Sequence, residues 1–118
     1  MIIHDHHDAL LTETLTIADG TEQTSGIIDI CEPGGSEAAH LVITAEACDQ
    51  TLTLQVKGCD TKDGEFAPVD PLIFNTTPDE PYAWRDRVPL HCPQYITLTV
   101  RPSGAPGTPV AVTLRYAV

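Results

Sequence analysis

The strongest candidate for metal chemistry is the cluster His4-Asp5-His6-His7 near the start of the chain. Imidazole and carboxylate are proper ligands for Zn²⁺ or Ni²⁺. Ligands crowded on an arm must be ordered before they can bind, and no spaced second pair accompanies them. A polar arm that orders against a neighbour is the simpler reading of His4, His6 and His7, with no metal or other cofactor required. Asp60-Thr61-Lys62-Asp63-Gly64-Glu65 has the look of a calcium loop. A lysine lies in its middle and the spaced ligands with a closing glutamate are missing. Asp63-Gly64 instead predicts a tight hairpin turn, because both residues tolerate positive φ. His91 beside Cys92 invites a nucleophile–base pairing. Adjacent residues on a strand point to opposite faces, so the two would not meet. Tyr82 and Trp84 share a face if their segment is extended, and such a pair can stack on a sugar ring. Packing in the core or at a subunit interface is the plainer use of large aromatics.

These residues depend on elements that alternate strictly. In Thr51–Lys57, Leu52, Leu54 and Val56 oppose Thr51, Thr53, Gln55 and Lys57. Ile96, Leu98 and Val100 alternate with Tyr95, Thr97, Thr99 and Arg101, and Val110, Val112, Leu114 and Tyr116 with Ala111, Thr113 and Arg115. A period of two means a strand with one dry face and one wet or partner-facing face. Three such strands need a second apolar surface to bury against.

The remaining chain supplies short segments between turn signals. Ala9–Ala18 allows a helix, but the threonines at 12, 14 and 16 argue for a strand. Ser25–Cys31 and His40–Ala45 read as strands, and the link after Ala45 could close a hairpin onto Thr51–Cys59. Phe66–Val69 and Leu72–Asn75 are short apolar pieces, and Pro68 and Pro71 confine them to a sheet edge. Tyr82 and Trp84 open another strand, followed by Arg87–Leu90. Strands at this interval predict an all-β, antiparallel β-sandwich or barrel of about eight strands. The division expected is an N-terminal arm over 1–8 and a single domain over 9–118.

The chain has 118 residues, which predicts one domain able to fold without a disulfide or metal. Its four cysteines are scattered, with no CxxC, and no secretion signal opens the sequence, so reduced thiols are expected. Seventeen acids against six bases give a formal charge of −11. That charge repels phosphate and anionic membranes, so neither nucleic acid nor membrane is an expected partner. No GxSxG, HExxH or phosphate-binding glycine loop occurs. The expectation is a protein that is not an enzyme.

Ile28-Asp29-Ile30, Leu41-Val42-Ile43-Thr44, Thr51–Val56 running into Asp60 and Phe66, the pair Tyr95–Val100 and the closing Val110–Tyr116 follow one another in a familiar order. Together with an arm that ends near Ala18-Asp19, this order resembles the small jelly-roll capsid-cementing, or decoration, proteins of tailed, podophage-like bacteriophages. The His-rich arm and the Pro-rich Pro68–Pro93 segment depart from that type. The resemblance implies a jelly roll that forms a homotrimer. It would sit on the outer surface of the major capsid protein shell and staple neighbouring subunits. That places the protein in the virion after synthesis in the host cytoplasm. Its expected contacts are His4, His6, His7, Tyr82 and Trp84. Two other readings are open. One is a carbohydrate-binding β-sandwich of a phage tail or surface protein, resting on Tyr82 and Trp84. The other is a metal-dependent jelly-roll enzyme, for which only His40 and His91 are suitably placed.

Overall fold

The computed structural model describes residues 11–117, and every element among them is a β-strand. In chain order these are β1 (Thr12–Ile17), β2 (Gln23–Thr24), β3 (Ile28–Asp29), β4 (His40–Ala45), β5 (Leu52–Cys59), β6 (Ala67–Asn75), β7 (Tyr82–Arg87), β8 (Tyr95–Pro102) and β9 (Val110–Ala117). Two antiparallel sheets form. One has the order β1-β9-β4-β7; the other has β2-β8-β5-β6, with β3 also paired to β8. With β2 and β3 taken as one interrupted strand, this is the eight-strand, double-sheet order of a jelly roll. The arm over 1–8 lies outside the described residues.

Alternation decides what faces inward. Leu52, Leu54 and Val56 of β5 meet Ile96, Leu98 and Val100 of β8 in one layer. Leu41 and Ile43 of β4 lie beside Leu114 and Val112 of β9 in the other. All ten are fully buried. The second apolar surface demanded by the β5 and β8 patterns is therefore the sheet that contains β9. The strand Thr12–Ile17 takes the extended option that the threonines favoured, not a helix.

Several local expectations differ from the structure. Ser25–Cys31 is not one strand. From Thr24 to Ile28 the chain advances four residues while its partner β8 advances only three, from Thr99 to Ile96. The extra residue makes a bulge. Ser25 bridges it: its backbone N–H donates to Leu98 O at 2.8 Å, and its hydroxyl accepts the Leu98 N–H at 2.9 Å. The segment after Ala45 is not a hairpin, because β4 and β5 belong to opposite sheets and the link crosses between them.

Asp63-Gly64 does not form a two-residue turn. The chain leaves β5 at Cys59 and enters β6 at Ala67, and Gly64 does not adopt positive φ. A Cβ at Gly64 would lie 2.3 Å from Cys59 Sγ and 2.5 Å from Thr61 Oγ1, so close packing accounts for this glycine. The two apolar pieces around Pro71 belong to one strand, β6. Its register against β5 shifts between Gln55 and Lys57, where Ile73 gives way to Pro68. The skipped residues turn Val69 and Leu72 into the core. β6 pairs only with β5, so the prolines sit on an edge, where a missing N–H costs least.

Candidate docking surfaces

His4, His6 and His7 lie outside the described residues. His40 and His91 are both tied to backbone, and in different places. His40 Nδ1 is 3.1 Å from Ala38 O, and His91 Nε2 bonds Asp70 O, within the shifted part of β6. Among the described residues, no three His, Cys, Asp or Glu side chains gather as metal ligands. His91 is exposed while Cys92 is fully buried. Burial pushes the Cys92 thiol up to about 11, away from thiolate character. Cys31 is exposed and takes the left-handed conformation, φ 75°. Desolvation first, then the charges of Asp29 and Glu32, raise its pKa as well. None of the four cysteines is in a disulfide.

Tyr82 and Trp84 share the inward parity of β7, opposite Ala45 and Ile43. Both are half-buried and pack against the core together with Phe74 of β6. The ring centroids of Phe74 and Trp84 are 4.6 Å apart, and those of Phe74 and Tyr82 are 6.3 Å apart. β6 and β7 are edge strands of opposite sheets, so these rings close the sandwich along that side. Burial also pushes the Tyr82 phenol up. Parity in the sequence brought Tyr82 and Trp84 together; Phe74, from the other sheet, it could not reveal.

The outer face of the β5–β8 sheet is a threonine surface. Thr24 and Thr99 hydroxyls lie 3.2 Å apart across β2 and β8, and Thr53 donates to Asn75 Oδ1 at 2.9 Å. Thr97 and Thr99 are only 5% and 4% exposed, although they lie on the wet or partner-facing parity of β8. They lie on a central strand, flanked by longer side chains of β5, including Lys57 and Gln55 opposite them in register.

The outer face of the other sheet differs in charge. Register places Arg85, Val42, Arg115 and Thr12 in one row across β7, β4, β9 and β1. The next row holds Arg87, His40 and Ala117, and the row on the other side Ala83, Thr44, Thr113 and Thr14. Three of the six basic residues thus share one face. No outward position of β1, β4, β7 or β9 is a carboxylate. The sequence holds half of this signal: Arg85 and Arg87 share the parity opposite Trp84. Their meeting with His40 and Arg115 needs the strand order.

Carboxylates collect instead in loops. The connections 18–22, 46–51, 76–81 and 103–109 meet at one end of the sandwich, where Thr51 N–H donates to Ser103 Oγ and Asp79 N–H to Cys48 O. They carry Asp19, Glu22, Glu46, Asp49, Asp79 and Glu80 and no lysine or arginine. A cleft of about 260 Å³ there is lined by Ala47, Cys48, Asp49, Asp79, Gly107 and Thr108. The Asp49 carboxylate is held at its rim by the Gly107 N–H, 3.1 and 3.2 Å from its two oxygens.

No family model matches the chain, and no curated protein matches it. Among solved structures, one titled "Crystal structure of PirA" is similar, with a TM-score of 0.56 and 18% sequence identity over 91% of this chain and 94% of that one. At that identity the likeness shows the fold alone.

Proposed function

We propose that this protein is a structural decoration protein: a jelly-roll block that docks as a homotrimer on the outer surface of a phage capsid shell and stabilises it. The observation that carries the reading is the full jelly-roll strand order, the fold that the resemblance to the cementing proteins implies. The supporting features are physical. Both sheets have outer faces rich in threonine, with Thr12, Thr14, Thr16, Thr44 and Thr113 on one and Thr53, Thr97 and Thr99 on the other, suited to flat contact. Four sheet edges, β1, β2, β6 and β7, have backbone groups that subunit contacts would cover. Adhesion of this kind needs no catalytic group.

Co-sedimentation with shells assembled from a tailed-phage major capsid protein tests the reading, with solution mass reporting the oligomer. The full chain is expected to pellet with shells and to run as a trimer. Removal of residues 1–8 is expected to weaken pelleting while leaving the thermal midpoint of the fold unchanged. If the truncated chain bound shells as well as the full chain did, the arm would have no part in docking. The carbohydrate reading requires free aromatic faces, and Trp84 spends one against Phe74. Glycan binding that Trp84→Ala abolishes would replace the decoration reading.

A further inference from the structure

The geometry points to the outer face of the β1-β9-β4-β7 sheet as the docking surface, and to a carboxylate cluster on a partner protein as what it receives. This rests on the decoration reading only for the identity of the partner. Arg85 and Arg87 are exposed on the edge strand β7, side by side on one face. The Arg87 guanidinium is steadied by the Glu37 carbonyl. Arg115 stands two strands away, about 10 Å across the sheet, and is already engaged by another group. Arg85 and Arg87 therefore carry the docking. Val42 lies between Arg85 and Arg115, His40 beside Arg87, and the adjoining row of Ala83, Thr44 and Thr113 has side chains short enough for a partner to approach closely. Guanidinium is the cation best shaped for bidentate pairing with carboxylate, and arginine is favoured at the energetic centre of interfaces.

Charge placement selects the partner. A chain of net charge −11 repels an acidic body unless it shows that body a face of the opposite sign. This face is such a place, and it is small. Strands of this length span about 20 Å. One end is closed by the loops of Glu46, Asp49, Asp79 and Glu80, and at the other the loop of exposed Glu37 meets Arg87 through its backbone carbonyl. A nucleic acid long enough to run past the loop end must meet the carboxylates there. A compact acidic patch on a protein fits between the two ends.

The test is an amide-resolved NMR titration of the full chain at low salt with a short oligoglutamate peptide and, separately, an oligothymidylate of equal length. The peptide is expected to move the signals of Val42, Thr44, Ala83, Arg85 and Arg87 and to leave Thr53, Gln55 and Arg101 in place. Arg85→Gln with Arg87→Gln should weaken peptide binding roughly tenfold. Lys57→Gln with Arg101→Gln removes the same charge from the opposite sheet and should change it less than about twofold. Equal losses in the two double variants, or no shifts with the peptide, would overturn the assignment of the face. Tighter binding of the oligothymidylate there, or concentration-dependent shifts of the same amides without any probe, would replace the partner with a nucleic acid or a second copy. Co-sedimentation separates the two readings. If Arg85→Gln/Arg87→Gln pellets with shells as the unaltered chain does, this inference fails and decoration stands. If the unaltered chain never pellets but the peptide result holds, decoration fails and the face stands.

Discussion

Glu13 occupies an inward position on β1, between Leu15 and the rim of the sandwich. A carboxylate there breaks the apolar alternation of Leu11, Leu15 and Ile17. Its use becomes visible only across the gap between sheets, where Oε1 accepts the Gly26 N–H at 2.8 Å. Gly26 is fixed by the same contact, since a Cβ would come within 2.7 Å of that oxygen. Neither residue announces the other in sequence, because thirteen positions separate them and the bond joins different sheets. Tyr82 and Trp84 were legible as a pair for the opposite reason: their relation is local parity. The cysteines allow a prediction at this scale. Near pH 8 a thiol reagent should label exposed Cys31 in the native protein and Cys92 only after unfolding, in about the order their exposure sets. Cys92 titrates from 9.0 in an ordinary setting to about 11 here. Above pH 9.0 the unfolded chain ionises this thiol while the native chain does not. Its contribution to stability is therefore complete below that pH and is lost as pH rises towards about 11. Urea midpoints across this range should fall less steeply in Cys92→Ala than in the unaltered protein.

β2 and β3 show what elements owe to single side chains. The pattern around Ile28 and Ile30 reads as one continuous strand, and the apolar positions do face the core as that pattern requires. Continuity fails because the Ser25 hydroxyl offers Leu98 N–H an acceptor in place of a backbone carbonyl. Ser25→Ala should leave that buried N–H without its partner and cost about 1–3 kcal/mol in chemical denaturation, whereas Ser25→Thr, which keeps the hydroxyl, should cost far less. The long strands β5, β8 and β9 were legible because a single rule, period two, governs every residue in them. β6 was split in the sequence by Pro71, and the structure rejoins it because an edge strand tolerates a register shift that an interior strand would not. The loop over 60–66 was misread because Asp-Gly also serves where side-chain packing, not a tight turn, demands a small residue.

At the scale of the molecule, the sandwich follows from the need of alternating strands to find a second apolar layer. Strand order does not follow from alternation. It comes from the fold itself, and the observed order β1-β9-β4-β7 over β2-β8-β5-β6 is the one a jelly roll requires. The arginine face was hidden for the same reason. It draws on strands at positions 40–45, 82–87 and 110–117, which only the fold makes neighbours.

The pairing of β1 with β9 sets how the fold yields to a mechanical load. Thr12 lies opposite Arg115, and Tyr116 N–H donates to Leu11 O at 3.0 Å, so the beginning of the first strand abuts the finish of the last. Tension applied at these two points pulls perpendicular to the strands and peels their rungs one after another, instead of loading all of them in shear at once. In single-molecule pulling the molecule should open at low force from this seam, and a tether moved from the start of β1 to its far end, near Ile17, should demand markedly more. Load carried across the sheet faces, by contrast, would spare this seam.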